Sequence, residues 1–79
     1  MSKDEISFKN RDRFIQMGIA ISSLRKMRGM SQEQLAEKLG TSTSYIGSIE
    51  SRTYKPISLT TLFRIAKVLD VPASKFLEF

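Results

Sequence analysis

Residues 31–50 read Ser31-Gln32-Glu33-Gln34-Leu35-Ala36-Glu37-Lys38-Leu39-Gly40-Thr41-Ser42-Thr43-Ser44-Tyr45-Ile46-Gly47-Ser48-Ile49-Glu50. Two helices are legible in them from local chemistry. Ser31 with Gln34 three residues on is a capping box, in which each side chain serves the other residue's backbone N–H. Leu35, Ala36 and Leu39 then form the apolar stripe of a short helix. Gly40 stops it, because glycine adopts the left-handed conformation that ends helices without steric cost. Thr41-Ser42 restarts the chain, with Ser42 as the N-cap of a second helix whose buried pair is Ile46 and Ile49. Ala36 is small where the two helices must approach.

Upstream, Phe14, Met17, Ile21 and Leu24 follow helical spacing with Ala20 beside them. Asp12 reads as the N-cap of this helix and Gly29 as its end. Residues 1–11 show little apolar periodicity, so a flexible polar N-terminal arm is expected over 1–11 and a folded domain over 12–79. Downstream, Glu50 to Ile57 reads as a loop. Ser58 caps a fourth helix with Leu59, Leu62, Phe63, Ala66 and Leu69 on one face. Asp70 sits where a chain-reversing residue is expected, and Pro72 opens a short last helix over 73–77. No period-two alternation persists, so strands are not expected. The expected fold class is all-α.

Composition removes many functions. Seventy-nine residues are about half the ~150 of a typical domain, so one domain is the limit. There is no cysteine and no histidine, which excludes disulfides, zinc fingers and His-assisted nucleophiles. No nucleophile–base pair or metal cluster is visible, so no enzyme, metal or cofactor is expected. No apolar run approaches the roughly 20 residues that span a bilayer. The polar start lacks a signal-peptide core, and a cytoplasmic protein without membrane contact is expected. The net charge of +5 and a pI near 9.9 point to a polyanionic partner, of which nucleic acid is the commonest.

Two short helices across a glycine turn make a helix-turn-helix, whose second helix enters a major groove. At this point the chain resembles the Cro/C1-type (XRE-type) helix-turn-helix family of phage repressors and bacterial regulators. The resemblance rests on Met17-Gly18, Ile21, Leu24-Arg25 and the run Gly29 to Gly40, followed by Ser44-Tyr45-Ile46, Ile49-Glu50, Pro56, Ser58-Leu59, Leu62, Ile65-Ala66, Leu69 and Val71. It covers about residues 14–77. It implies a compact five-helix, lambda-repressor-like DNA-binding domain, usually a homodimer on a two-fold double-stranded DNA operator. It also implies roles: Gln32 on a phosphate, Thr43, Ser44, Gly47 and Ser48 on the base-reading face, and Arg52, Tyr54 and Lys55 on the backbone. Spacing agrees for the base-reading set, which lies on one helical face away from Ile46 and Ile49. Arg25 and Glu50 would form an ion pair between the first helix and the end of the recognition helix. The sequence departs from the family in offering no Arg, Gln or Lys at the first outward positions of the recognition helix, and in placing Arg52 where a glycine is usual. A narrower resemblance is to the controller proteins of restriction–modification systems.

Each role has a plainer counterpart. The hydroxyls of residues 41–44 also serve as turn and cap chemistry. Arg25 and Glu50 can be two solvated charges. Phe76, Leu77 and Phe79 are either a C-terminal dimer patch or intramolecular packing. A second functional class is a protein-interaction module, antitoxin-like or adaptor, using the same fold to bind a partner protein. No second domain that would sense a small-molecule ligand is legible.

Overall fold

In the computed structural model, which describes residues 3–53 and 55–78, the Ser31 Oγ accepts the Gln34 backbone N–H at 3.0 Å and the Gln34 Oε1 accepts the Ser31 N–H at 2.7 Å. This box opens α2 (Gln32–Leu39). Gly40 closes it at φ 69, where its neighbour Thr41 donates to the Ala36 carbonyl at 3.0 Å. The Ser42 Oγ accepts from the Tyr45 amide and starts α3 (Thr43–Glu50). Ser58 does the same for α4 (Leu59–Leu69) through Thr61, and α4 ends on Asp70 in the left-handed region. Before these comes α1 (Lys3–Met27). Among the described residues there is no strand.

Helix α3 packs on α1 and α2, α4 packs on α2 and α1, and the four share one core. Ile21, Leu35, Ile46, Leu62, Ile65 and Leu69 are fully buried, one or more from each helix, and Met17, Ala36, Leu39, Ile49, Ile57, Ala66 and Phe76 complete the cluster. Each large aliphatic side chain buried in this way contributes about 1.5–3 kcal/mol. Gly18 is where α1 crosses α3. A methyl group there would overlap the backbone carbonyl of Ile49.

Arginines tie the helix ends together. The Arg28 Nε donates to the Leu69 carbonyl at 2.8 Å and its Nη2 to the Asp70 carbonyl at 3.1 Å. Arg64 donates to the Leu39 carbonyl at the end of α2. Helix C-termini leave carbonyls unpaired and carry partial negative charge, so a guanidinium suits both needs. Part of the positive charge thus serves the fold.

Four expectations are corrected. Helix α1 starts at Lys3 and runs through Asp12, which is therefore not its N-cap. The last element is a single 3-10 turn, Ala73–Phe76, and not a fifth α-helix. Leu59 and Phe63 are 62% and 55% exposed, whereas Ile65 is buried. Phe63 lies one residue, or about 100° of helix, beyond Leu62, which carries it off the Leu62-Ile65-Ala66-Leu69 stripe. Phe76 is only 2% exposed. It packs into its own chain's core and has no surface left for a dimer patch, while Leu77 next to it is 45% exposed. Phe79 lies outside the described residues.

No helix among the described residues is long and apolar enough to cross a membrane.

Candidate nucleic-acid interface

Helix α3 turns Ile46 and Ile49 into the core and leaves Thr43, Ser44 and Ser48 exposed. Gly47 lies half-buried at the flank of this outer face. The Ser48 Oγ donates to the Ser44 carbonyl at 2.9 Å. Its proton is therefore engaged within the helix, and the oxygen keeps its capacity as an acceptor. At the end of α3 the Ser51 Oγ donates to the Ser48 carbonyl at 2.8 Å and lies 2.6 Å from the Thr53 Oγ1.

Beyond α3 the chain turns at Arg52, whose φ is 64. A non-glycine residue there carries a steric cost of about 1–2 kcal/mol. The conformation is the one a glycine would adopt freely, and it presents an exposed guanidinium. Arg52 and Lys26 rim a polar cleft of about 210 Å³ shared with Ser22, Ser23 and Glu50. The Lys55 Nζ lies 5.7 Å from the centre of the Tyr45 ring, a cation–π distance that holds the charge beside α3. Tyr54 lies outside the described residues.

A charged network anchors this surface from behind. The Arg25 Nε and Nη2 donate to the Glu50 Oε2 and Oε1, both at 2.8 Å. The two side chains are 8% and 4% exposed. The Arg25 Nη1 donates to the Met30 carbonyl at 2.7 Å. The Gln32 Nε2 donates to the Glu50 Oε1 at 3.0 Å. One carboxylate thus joins the end of α3 to α1 and to the first residue of α2. Burial on its own would raise the Glu50 carboxyl. Hydrogen bonds from Arg25, Gln32 and Ser22, with the Arg25 charge, outweigh burial and hold it below the usual carboxylate range. The hydrogen bond to Glu50 raises Arg25 despite its own desolvation. Both groups are therefore charged at neutral pH. Every buried side-chain N or O among the described residues has a partner.

Three features of this site were not read from the sequence. The Gln32–Glu50 bond joins residues 18 positions apart, which no local pattern announces. Lys26 at the cleft rim reads as an ordinary surface charge. Gly18 did leave a signal, since a glycine inside a helix costs about 1 kcal/mol relative to alanine and so marks close approach.

Comparison with known proteins gives a family and several relatives. A helix-turn-helix family model matches residues 21–76. The control protein C.SmaI of Serratia marcescens is 42% identical over 57 residues, covering 72% of this chain and 67% of that protein. The immunity repressor protein of Bacillus phage phi105 is 43% identical over 58 residues, covering 73% of this chain and 40% of that protein. The chain therefore spans about two thirds of the first relative and less than half of the second. Among solved structures, the biofilm master regulator SinR in complex with DNA matches with a TM-score of 0.73 and 37% identity, over 78% of this chain and 98% of that one.

Proposed function

The chain belongs to the helix-turn-helix family of the Cro/C1 (XRE) type, and from that membership we propose that it is a sequence-specific DNA-binding transcriptional regulator acting as a homodimer on a two-fold operator. The observation that carries this reading is the outer face of α3. It is exposed, hydroxyl-bearing and narrow at Gly47, and it is braced behind by the Arg25–Glu50–Gln32 network. In the proposed complex α3 of each protomer enters the major groove at half-sites about 34 Å apart. Thr43, Ser44, Gly47 and Ser48 meet base edges. The Thr43 and Ser44 hydroxyls suit this role because they donate and accept, Ser48 serves as an acceptor, and the threonine methyl can meet thymine.

Register and most of the affinity come from phosphates. The N-terminal amides of α2 at Gln32, with Arg52 and Lys55, supply these contacts. The left-handed turn at Arg52 and the ring beneath Lys55 support this, because each holds a cation beside α3. Occupancy of the operator is the mechanism, and it calls for no catalytic step and no cofactor. Similarity to C.SmaI supports a controller-type regulator within the family. A DNA-binding regulator of this kind works in the cytoplasm.

The homodimer contact is drawn from the exposed apolar side chains Leu59, Phe63 and Leu77. The same residues, with Met27 at 79% exposure, favour the second reading, a module that docks a partner protein. Salt separates the two. Binding to duplex DNA, followed by anisotropy across a salt series, should give a log–log slope of about −0.9 per phosphate contact. A flat dependence would favour the apolar protein contact.

A further inference from the structure

Helix α3 offers hydroxyls and a glycine but no amide, so its stock of directional base contacts is small. The structure brings an amide to its edge from another helix. Going around α3 at 100° per residue, Glu50, Thr43 and Gly47 fall on one flank, between the core stripe and the outer face. Gln32 lies along that flank. Its Nε2 donates to Glu50, and a Cβ placed on Gly47 would come within 3.8 Å of its Oε1.

The direction of the amide follows from chemistry. An ionised carboxylate accepts hydrogen bonds and donates none. Glu50 already receives two bonds from Arg25, and the end of Gln32 that meets it must be the NH₂. Turning the amide over would set oxygen against oxygen. The Gln32 Oε1 is thereby committed to the side of Gly47, where no side chain stands beside it. A phosphate oxygen cannot serve that atom, because both are acceptors.

We propose that Gln32 reads a base: its Oε1, aimed by Glu50 and passing over Gly47, accepts a hydrogen bond from the exocyclic amino group of adenine or cytosine in the major groove. Those two bases present a donor where guanine and thymine present an acceptor. Gln32 therefore selects amino over keto bases at one position of each half-site. Glu50 is a positioning residue for it, and Gly47 contributes by lacking a side chain. This inference rests on the DNA-binding reading above.

The test uses the full chain and the duplex it selects from a random library. At the position in question, adenine is replaced by purine, or cytosine by its 2-pyrimidinone analogue, so that the amino group alone is lost. The wild type should weaken about fivefold to tenfold on that duplex. Gln32→Met should bind both duplexes alike, with the other base preferences and the salt slope unchanged. Gly47→Ala keeps the amide, raises helix propensity and sets a methyl group in van der Waals contact with the Oε1, so it should weaken the same preference even where Gln32→Met proves unstable. Equal weakening of every duplex by Gln32→Met, or a purine effect that survives both substitutions, overturns the inference and leaves DNA binding intact. A wild type that enriches no sequence overturns the DNA-binding reading, and this inference with it.

Discussion

Gly18 of α1 lies against the Ile49 carbonyl of α3 so closely that a Cβ has no place between them. The obstacle is backbone, and neither helix can yield by turning a side chain. Gly18→Ala should therefore force α1 and α3 apart. The gain in helix propensity is about 1 kcal/mol, against an overpacking cost at the upper end of the usual 1–3 kcal/mol or beyond. A net loss of about 2 kcal/mol is expected, and a fall of roughly 8–16 °C in Tm for a domain of this size. Thermal unfolding measures it, and an unchanged midpoint would mean that the helices do not cross there.

Glu50 gives a second stability prediction. Glu50→Ala leaves Arg25, only 7% exposed, without its carboxylate. Removing one partner of a buried pair costs about 3–5 kcal/mol. The pH dependence has a definite sign. The folded carboxyl lies below its ordinary value, so its stabilisation is fully present above the unfolded value and is lost as pH falls through the folded one. Urea midpoints of wild type and Glu50→Gln should differ most near neutrality and converge under acid. A gap that stays constant down through the carboxylate range would contradict the network.

Arg52 separates stability from binding. Its left-handed φ makes Arg52→Gly relieve about 1–2 kcal/mol of strain, partly offset by about 0.4–1 kcal/mol of added unfolded-state entropy. The glycine variant should be at least as stable as wild type and should bind DNA less tightly. Arg52→Ala keeps the strain and should also bind less tightly. Paired unfolding and binding titrations check both, and tight binding by either variant would remove Arg52 from the phosphate contacts.

Lys55→Ala should weaken binding evenly across DNA sequences and shallow the log–log salt slope by about 0.9. Its aromatic partner Tyr45 remains, so the helix itself should be undisturbed. An identical slope would place the Lys55 charge away from the backbone.

Phe63→Lys places a charge in the exposed patch on α4. Sedimentation should show a shift toward monomer at a concentration where the wild type is dimeric. An unaltered dimer would locate the contact elsewhere, with Leu77→Lys the next variant.

Elements governed by neighbours a few residues away were readable beforehand. The Ser31–Gln34 box, the Ser42 and Ser58 caps and the turns at Gly40 and Asp70 are local events, and each stands where residue type and spacing indicate. The start of α1 was not readable, because residues 3–13 lack the apolar repeat by which a helix is recognised in sequence. The faces of α4 were read only in part. Leu59 and Phe63 fit an apolar stripe as residue types, but the choice between them and Ile65 is made by the neighbouring helices. The candidate site divides in the same way. The outer residues of α3 follow from helical period. The Arg25–Glu50 pair follows from the family resemblance and stands as expected, whereas the Gln32–Glu50 bond and the clamps of Arg28 and Arg64 join positions 18 to 42 apart, and only the packed fold brings them together.

The most direct test is selection of the full chain on a random duplex library at near-physiological salt, with sequencing of the bound pool. A palindrome whose half-sites lie about one helical turn apart is the expected result. A pool without any enriched sequence, bound only in proportion to low salt, would contradict sequence-specific recognition by α3.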